Sequence, residues 1–302
     1  MKSKNSESEP DVLSPEQVEK VRKRFLNENS LPTISTMFEK IVHLLEDEQS
    51  TISDIEKVVR LDQVIATRIL KLVNSAFFGF NNVTSISHAI SLLGFKRVQN
   101  VVLSASLANV FNMEYSIGVL TIPDFWLHSI ATACISKVLS ERTGQGDPEE
   151  LFTLGLLHDI GKVLYFKVAS DLFPVLVKRS YVRRVSLNQQ EEELGLSHAL
   201  LGWFLCEKWN FPSKIGMVLK RHHRITPGDE FALEEAVVNM ADYLAIRLGI
   251  GSSGNKYPNA PESVITNQLK ISKKVWEVIK QDLQEQKESI IKLSQELLVT
   301  AK

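Results

Sequence analysis

Cysteine is nearly absent from this chain. Only Cys134 and Cys206 occur, each in an apolar helical stretch, with neither a Cys-x-x-Cys spacing nor a disulfide framework. Both are expected as reduced core thiols. Charge of one sign is lacking too, because 35 basic side chains face 36 acidic ones. That balance argues against a sequence-independent nucleic-acid binder, which needs a broad positive surface. No uninterrupted apolar run reaches the ~18 residues of a membrane span. The start, Met1 to Asp11, is polar where a signal peptide would be apolar, so a cytoplasmic protein is expected. Strand-like alternation is scarce and no internal repeat is visible, which leaves an all-α fold.

What is present suits a sizeable helical core, since 44% of the residues are apolar. Residues 1–13 are rich in Ser, Glu and Lys and are expected to form a flexible tail. Ser14-Pro15-Glu16-Gln17 then predicts a helix to about Asn27. Ser53 to Glu56 reads as another capping box, Asp62 opens a segment through Asn74, and Ser85 caps a short helix that stops at Gly94. Asn74 to Phe80 is expected as a helix end and a loop pinned by aromatics, in preference to a ligand pocket. The next helix, Phe95 to Phe111, carries Lys96 and Arg97 in its first turn, where they oppose the helix dipole; a solvated turn is preferred there over a phosphate or partner site.

In the second half, Pro123-Asp124 starts a helix with Asp124 and His128 on one face. Asp147-Pro148-Glu149-Glu150 caps the helix expected to contain Leu156-Leu157-His158-Asp159-Ile160-Gly161-Lys162. Ser186 to Glu193 is a short acidic helix, and Ser197 caps a helix with His198 in its first turn, expected neutral beside the positive dipole end. His222-His223 ends the helix that Pro212 starts, and Asp242 lies within the apolar helix Glu234 to Leu248. A buried carboxylate such as Asp159 or Asp242 costs several kcal/mol unless a cation or donor compensates it. Five of the seven histidines keep company with these acids, and imidazole plus carboxylate without thiolate suits Fe, Mn, Co, Ni or Zn.

The order His128, His158-Asp159, Asp242 resembles the HD phosphohydrolase superfamily, and the surroundings resemble its HDOD branch, the HD-related output domains of bacterial signalling proteins, over about Leu31 to Gly249. Leu31-Pro32, Asn74-Ser75-Ala76-Phe77-Phe78-Gly79 and Ala89-Ile90-Ser91-Leu92-Leu93-Gly94 carry the branch-specific part. The resemblance implies an HD-domain-like helical bundle with an additional N-terminal helical layer: residues 14–120 as that layer and 121–250 as the HD-like part. It implies metal ligands at His128, His158, Asp159 and Asp242. Relatives with two ions imply further ligands at His198, His222, His223 and Asp124, with Asp159 as the bridge. Lys162 or Arg224 would then neutralise phosphate oxygens, and Lys162 and Asp159 would serve catalysis if the protein is an enzyme. The sequence departs from the HD-GYP phosphodiesterases after His222-His223, where Arg224-Ile225-Thr226-Pro227-Gly228-Asp229 replaces the Gly-Tyr-Pro substrate turn.

Two functions follow as expectations: a metal-containing signalling output module acting through a partner protein or nucleotide, and a metal-dependent phosphohydrolase or phosphodiesterase. Residues 251–302 are expected as a flexible linker, Gly251 to Asn255, and a helical extension from about Ser272. Its heptad seam, Trp276, Ile279, Leu283, Gln286, Ile290, Leu293 and Leu297, either docks on its own domain or pairs two chains as a homodimer.

Overall fold

The structure of the protein is a computed structural model. It describes residues 49–60, 63–75, 78–110, 116–117 and 120–299, together with 16, 19, 23–25, 40, 44 and 47. The expected tail over 1–13, the capping box at Ser14, Leu31-Pro32, Asp62 and Ala76-Phe77 lie outside the described residues.

The fold is all-α. Among the described residues, four bounded helices belong to the N-terminal layer: α1 (Ile52–Arg60), α2 (Gln63–Val73), α3 (Ile86–Leu93) and α4 (Phe95–Val110). A minimal antiparallel ribbon, β1 (Ser116–Ile117) with β2 (Leu120–Thr121), leads into α5 (Ile122–Thr143), which is buried along most of its length. Around α5 pack α6 (Pro148–Leu157), α12 (Ala232–Arg247) and α14 (Lys273–Val299). The remaining elements are α7 (Lys162–Val168), α8 (Phe173–Arg183), α9 (Leu187–Glu193), α10 (His198–Lys208), α11 (Ser213–Arg221) and α13 (Ser263–Leu269).

Local chemistry accounts for most boundaries. Ser85, Asp147, Ser186 and Ser197 each accept a backbone N–H at the start of the following helix, and Gly94 ends α3 at φ 78°. The cap of α1 differs from the expected Ser53–Glu56 box: Thr51 donates its hydroxyl (2.5 Å) and its N–H (3.1 Å) to Asp54. Glu56 instead accepts from the Ser87 hydroxyl at 2.7 Å, joining α1 to α3. The 74–83 loop is stitched by Asn74, whose side chain donates to the carbonyls of Leu70 (2.7 Å) and Val83 (2.9 Å) and accepts from Val83 N–H (2.8 Å). Phe78 and Phe80 pack beneath it against the core.

The two layers are latched electrostatically. Lys96 and Arg97 remain exposed, as expected for a solvated turn, but each is also paired: Lys96 with Asp147 at 2.5 Å and Arg97 with Glu149 at 3.1 Å. Asn100 adds a bond to the Glu149 carbonyl at 2.8 Å. Both partners of α4 thus sit in the first turn of α6, where their negative charge also suits the helix dipole.

The C-terminal segment is part of the same core. Ile279, Leu283, Ile290 and Leu293 of the seam are buried, with α14 lying against α5, α2 and α4 of its own chain. Residues 251–255, expected as a flexible connection, are held down instead. Ser252 N–H donates to the Asp124 carbonyl at 2.9 Å, Ser253 is buried, and Asn255 accepts from Leu187 N–H at 3.1 Å. Gly251 (φ 71°) approaches α5 so closely that a Cβ there would lie 2.3 Å from the His128 nitrogen. The glycines permit contact with α5 here, which a composition-based reading as a linker cannot anticipate.

Candidate metal centre

Five elements bring the candidate ligands together. His128 projects from the second turn of α5, His158 and Asp159 from the α6–α7 junction, His198 from the first residue of α10, His222-His223 from the end of α11, and Asp242 from the middle of α12. The central motif is not inside one helix as expected. α6 stops at Leu157, and bonds from Ile160, Lys162 and Val163 to the carbonyls three residues back form a tight turn. Gly161 is required there, because a Cβ would fall 2.0 Å from the His198 carbonyl oxygen. The contact seats the turn against the start of α10.

Two clusters result. The ligand atoms of His128, His158 and Asp242 lie within 4.8 Å of one another, and so do those of His198, His222 and His223. Asp159 stands between them: Oδ2 is 3.3 Å from His158 Nε2 and 3.7 Å from His128 Nε2, while Oδ1 is 3.0 Å from His198 Nε2. In the first cluster His128 Nε2 is 3.1 Å from Asp242 Oδ1, and in the second His223 Nε2 is 3.0 Å from His198 Nε2. Lys162 is buried, with its ammonium against Asp159 Oδ2 at 2.6 Å.

The ring orientations are set from behind. Nδ1 of His158 meets the Gly155 carbonyl at 2.8 Å, and Nδ1 of His222 meets the Leu219 carbonyl at 2.6 Å. Nδ1 of His198 bonds Glu191, whose carboxylate also accepts the His198 N–H at 2.8 Å. Each such bond turns Nε2 into the site, where it offers a lone pair when the ring is neutral. His128 Nε2, His158 Nε2, His222 Nε2, Asp159 Oδ1 and Asp242 Oδ1 are all buried without a hydrogen-bond partner. Buried polar atoms are almost always satisfied, and a cation held among these facing groups would satisfy them. The donor set fits divalent transition ions, with either cluster supplying three donors and Asp159 able to serve both.

Without a cation the charges differ from ring to ring: burial lowers His128, whereas for His158 the neighbouring Asp159 and Asp242 outweigh burial and push the ring up to about 10. Burial would raise Asp159, but His158 and Lys162 hold its carboxyl well below the usual range. His128 and His158 do the same for Asp242 against its burial. Burial pushes His222 down to about 3 and holds His223 well below its ordinary value, so both rings are unprotonated. Burial also lowers His198, yet Glu191 and Asp159 outweigh it and leave its pKa raised. The expectation of an ordinary neutral His198, based on the helix terminus, omitted Glu191. That buried acid sits in the run Glu191-Glu192-Glu193, where nothing in the sequence distinguishes it from its neighbours.

Two expected residues are placed differently. Asp124 lies one turn before His128, but its carboxylate accepts from the Thr121 hydroxyl at 2.6 Å in the cap of α5. Arg224 is exposed and tied to Glu192 at 2.6 Å. A cavity of about 260 Å³ opens beside the second cluster, with His223, Arg224 and Asp242 in its wall; Lys162 lies away from it, behind Asp159. Both cysteines are free and buried, away from these clusters.

A helical bundle with histidine and aspartate from five separate elements converging on one buried centre defines an HD-type domain. The HDOD domain model matches residues 31–225, more than half of the chain, and the chain belongs to that family. It resembles the crystal structure of an HDOD domain protein of unknown function from Geobacter sulfurreducens, with a TM-score of 0.78, 25% identity, and coverage of 93% of this chain and 97% of that one. A candidate phosphohydrolase from Shewanella amazonensis SB2B shares the fold, with a TM-score of 0.72, 21% identity, and 91% and 98% coverage. An uncharacterized protein of Treponema pallidum (strain Nichols) is 24% identical over 205 residues, which are 67% of this chain. The match spans only 39% of that relative's own length. No described helix is long and apolar enough to cross a membrane.

Proposed function

We propose that the protein is a metal-binding HDOD signal-transduction output module, whose state is set at the buried centre and conveyed to a partner protein. The observation that carries this is the convergence of unpaired Nε2 and carboxylate lone pairs from five elements. Elements tied to one centre move together when its occupancy changes, which is what an output module requires. His128, His158 and Asp242 would hold one ion, and His198, His222 and His223 a second, with Asp159 available to both. Fe, Mn, Co, Ni or Zn held there would supply concentrated positive charge and Lewis acidity. Gly155, Leu219 and Glu191 keep the imidazoles aimed. Lys162 offsets the charge of Asp159, and the 251–255 segment covers the start of α5 beside His128.

A second reading, a metal-dependent phosphohydrolase of a nucleotide or phosphorylated small molecule, is favoured by the cavity that reaches His223 and Asp242. The Shewanella neighbour is described as a candidate phosphohydrolase. Arg224 in the cavity wall is paired with Glu192 and Lys162 with Asp159, so the means of neutralising a transferred phosphoryl group are sparse. Little activity on cyclic di-nucleotides is therefore expected. Elemental analysis with a phosphoester screen separates the two readings. Metal without turnover supports the output module, whereas rapid, saturable cleavage that disappears in Asp159→Asn makes the protein a phosphohydrolase.

A further inference from the structure

The chain is electrically balanced as a whole, yet the end of α8 is not. Lys178-Arg179-Ser180-Tyr181-Val182-Arg183-Arg184 closes that helix with four cations and no acid. Leu176, Val177 and Ser180 face the core, while Lys178, Val182, Arg183 and Arg184 are exposed. Lys178 lies one turn before Tyr181 on the same side, and Arg184 holds the left-handed cap (φ 54°), where glycine is the usual residue. Residues 254–257 lie against the same helix. A Cβ on Gly254 (φ 80°) would stand 3.5 Å from Cγ2 of Val177, and the exposed Lys256 places its ammonium 5.2 Å from the Tyr181 ring and 5.7 Å from the Tyr257 ring. The two tyrosines meet edge to face at 6.3 Å.

Pairing leaves most of this charge uncompensated. Glu193 of α9 takes Arg183 at 2.7 Å and Arg179 at 3.8 Å. Lys178, Arg184 and Lys256 have no carboxylate at ion-pair distance among the described residues. Five cations against one acid are therefore gathered on a chain whose formal net charge is -1. A local field of this sign steers anionic partners towards it. Tyrosine and arginine are also the side chains that carry much of the energy of protein–protein contacts, and Val182, 39% exposed, adds an apolar contact that a phosphate backbone would not use. The patch spans one helix end and one short segment, whereas binding to a phosphate backbone draws on many spaced cations. We propose that the end of α8 and residues 254–257 form the docking surface for an acidic segment of a partner protein. Its carboxylates meet Lys178, Arg184 and Lys256, and an apolar side chain lies on Tyr181 and Val182. This rests on the reading of the protein as an output module, and it gives the module its partner's chemistry. α9 joins the surface to the centre: Arg183 donates to Gln190 at 3.2 Å and to Glu193 at 2.7 Å, and Glu191 between them orients His198.

The test is binding by fluorescence anisotropy on the full chain, before and after metal removal, with the metal content determined on the same samples. The probes are a labelled peptide of alternating glutamate and leucine pairs, the same peptide with glutamine for glutamate, and an oligouridylate of equal charge. Co-sedimentation with vesicles of phosphatidylcholine and phosphatidylserine completes the set. The acidic peptide should bind about tenfold or more tighter than either other probe, and the vesicles should retain no protein. Lys178→Glu combined with Lys256→Glu should weaken peptide binding about tenfold or more, whereas Lys274→Glu on α14 should leave it unchanged. All three positions are exposed, so the melting temperatures should stay with the parent. Tighter binding of the oligouridylate, or capture by the vesicles, overturns the assignment of a protein partner. Peptide binding that survives the double variant, or that is missing both before and after metal removal, overturns the surface itself and leaves the metal centre intact. Peptide affinity that is the same with and without metal keeps the surface and overturns the reading of the centre as what sets the output.

Discussion

Glu191 holds His198 at two points, accepting its backbone N–H at 2.8 Å and bonding its imidazole Nδ1, and both residues are buried. The carboxylate therefore fixes which nitrogen of His198 faces Asp159. Groups of this kind typically change metal affinity by about 10–100-fold when removed. Glu191→Ala should show that loss in a competition titration against a chelator, while the far-UV helical signal is retained. Unchanged affinity would mean that His198 needs no such support.

Gly161 is where the central turn meets α10. Alanine there would place a Cβ 2.0 Å from the His198 carbonyl and 2.5 Å from the Gly202 nitrogen, both backbone atoms. Gly161→Ala should destabilise the protein by about 3 kcal/mol or more, at the upper end of overpacking effects, because backbone cannot rotate away. Denaturant midpoints of the two proteins measure this, and a loss within about 0.5 kcal/mol, the scatter of neutral surface changes, would contradict the close packing.

Stability should depend on Glu235. It is fully buried on α12, both carboxylate oxygens lack a hydrogen-bond partner, and burial pushes its pKa up from 4.5 to about 7 despite Arg221, with Asp229 and Glu234 reinforcing the rise. The folded state thus holds this proton more tightly than the unfolded chain. Its contribution is fully present below about pH 4.5 and is lost as pH rises to about 7, which amounts to about 3 kcal/mol at most. Glu235→Gln should gain stability relative to the parent as pH goes from 5 to 8. Urea midpoints whose difference stays flat across that range would rule this out.

Seam packing predicts a further loss. Leu283 is 2% exposed within the core shared by α14 and α5, so Leu283→Ala should cost about 2–5 kcal/mol in thermal or denaturant unfolding. A near-neutral substitution would indicate that α14 is docked only loosely.

Much of this organisation is legible in the sequence, and the illegible parts share a cause. Helix starts at Ser85, Asp147, Ser186 and Ser197 depend on side chains within three residues of the cap, so local reading finds them. The pairs His158-Asp159 and His222-His223 are conspicuous because such groups are costly inside apolar stretches. Glu191, by contrast, differs from Glu192 only in what the fold places next to it. Gly251 reads as linker until α5 is seen beneath it, and the break of α6 at Leu157 depends on the contact of Gly161 with α10. The same holds for Lys162, which the resemblance offered as a phosphate ligand but whose ammonium is 2.6 Å from Asp159.

The most direct test of the metal centre is elemental analysis of the purified chain beside Asp159→Ala. The parent should carry one or two transition-metal ions per chain, and the variant should lose at least one together with thermal stability, because Asp159 faces both clusters. A parent protein that is folded, contains no transition metal and takes none up from solution would contradict the assignment of these clusters as a metal centre.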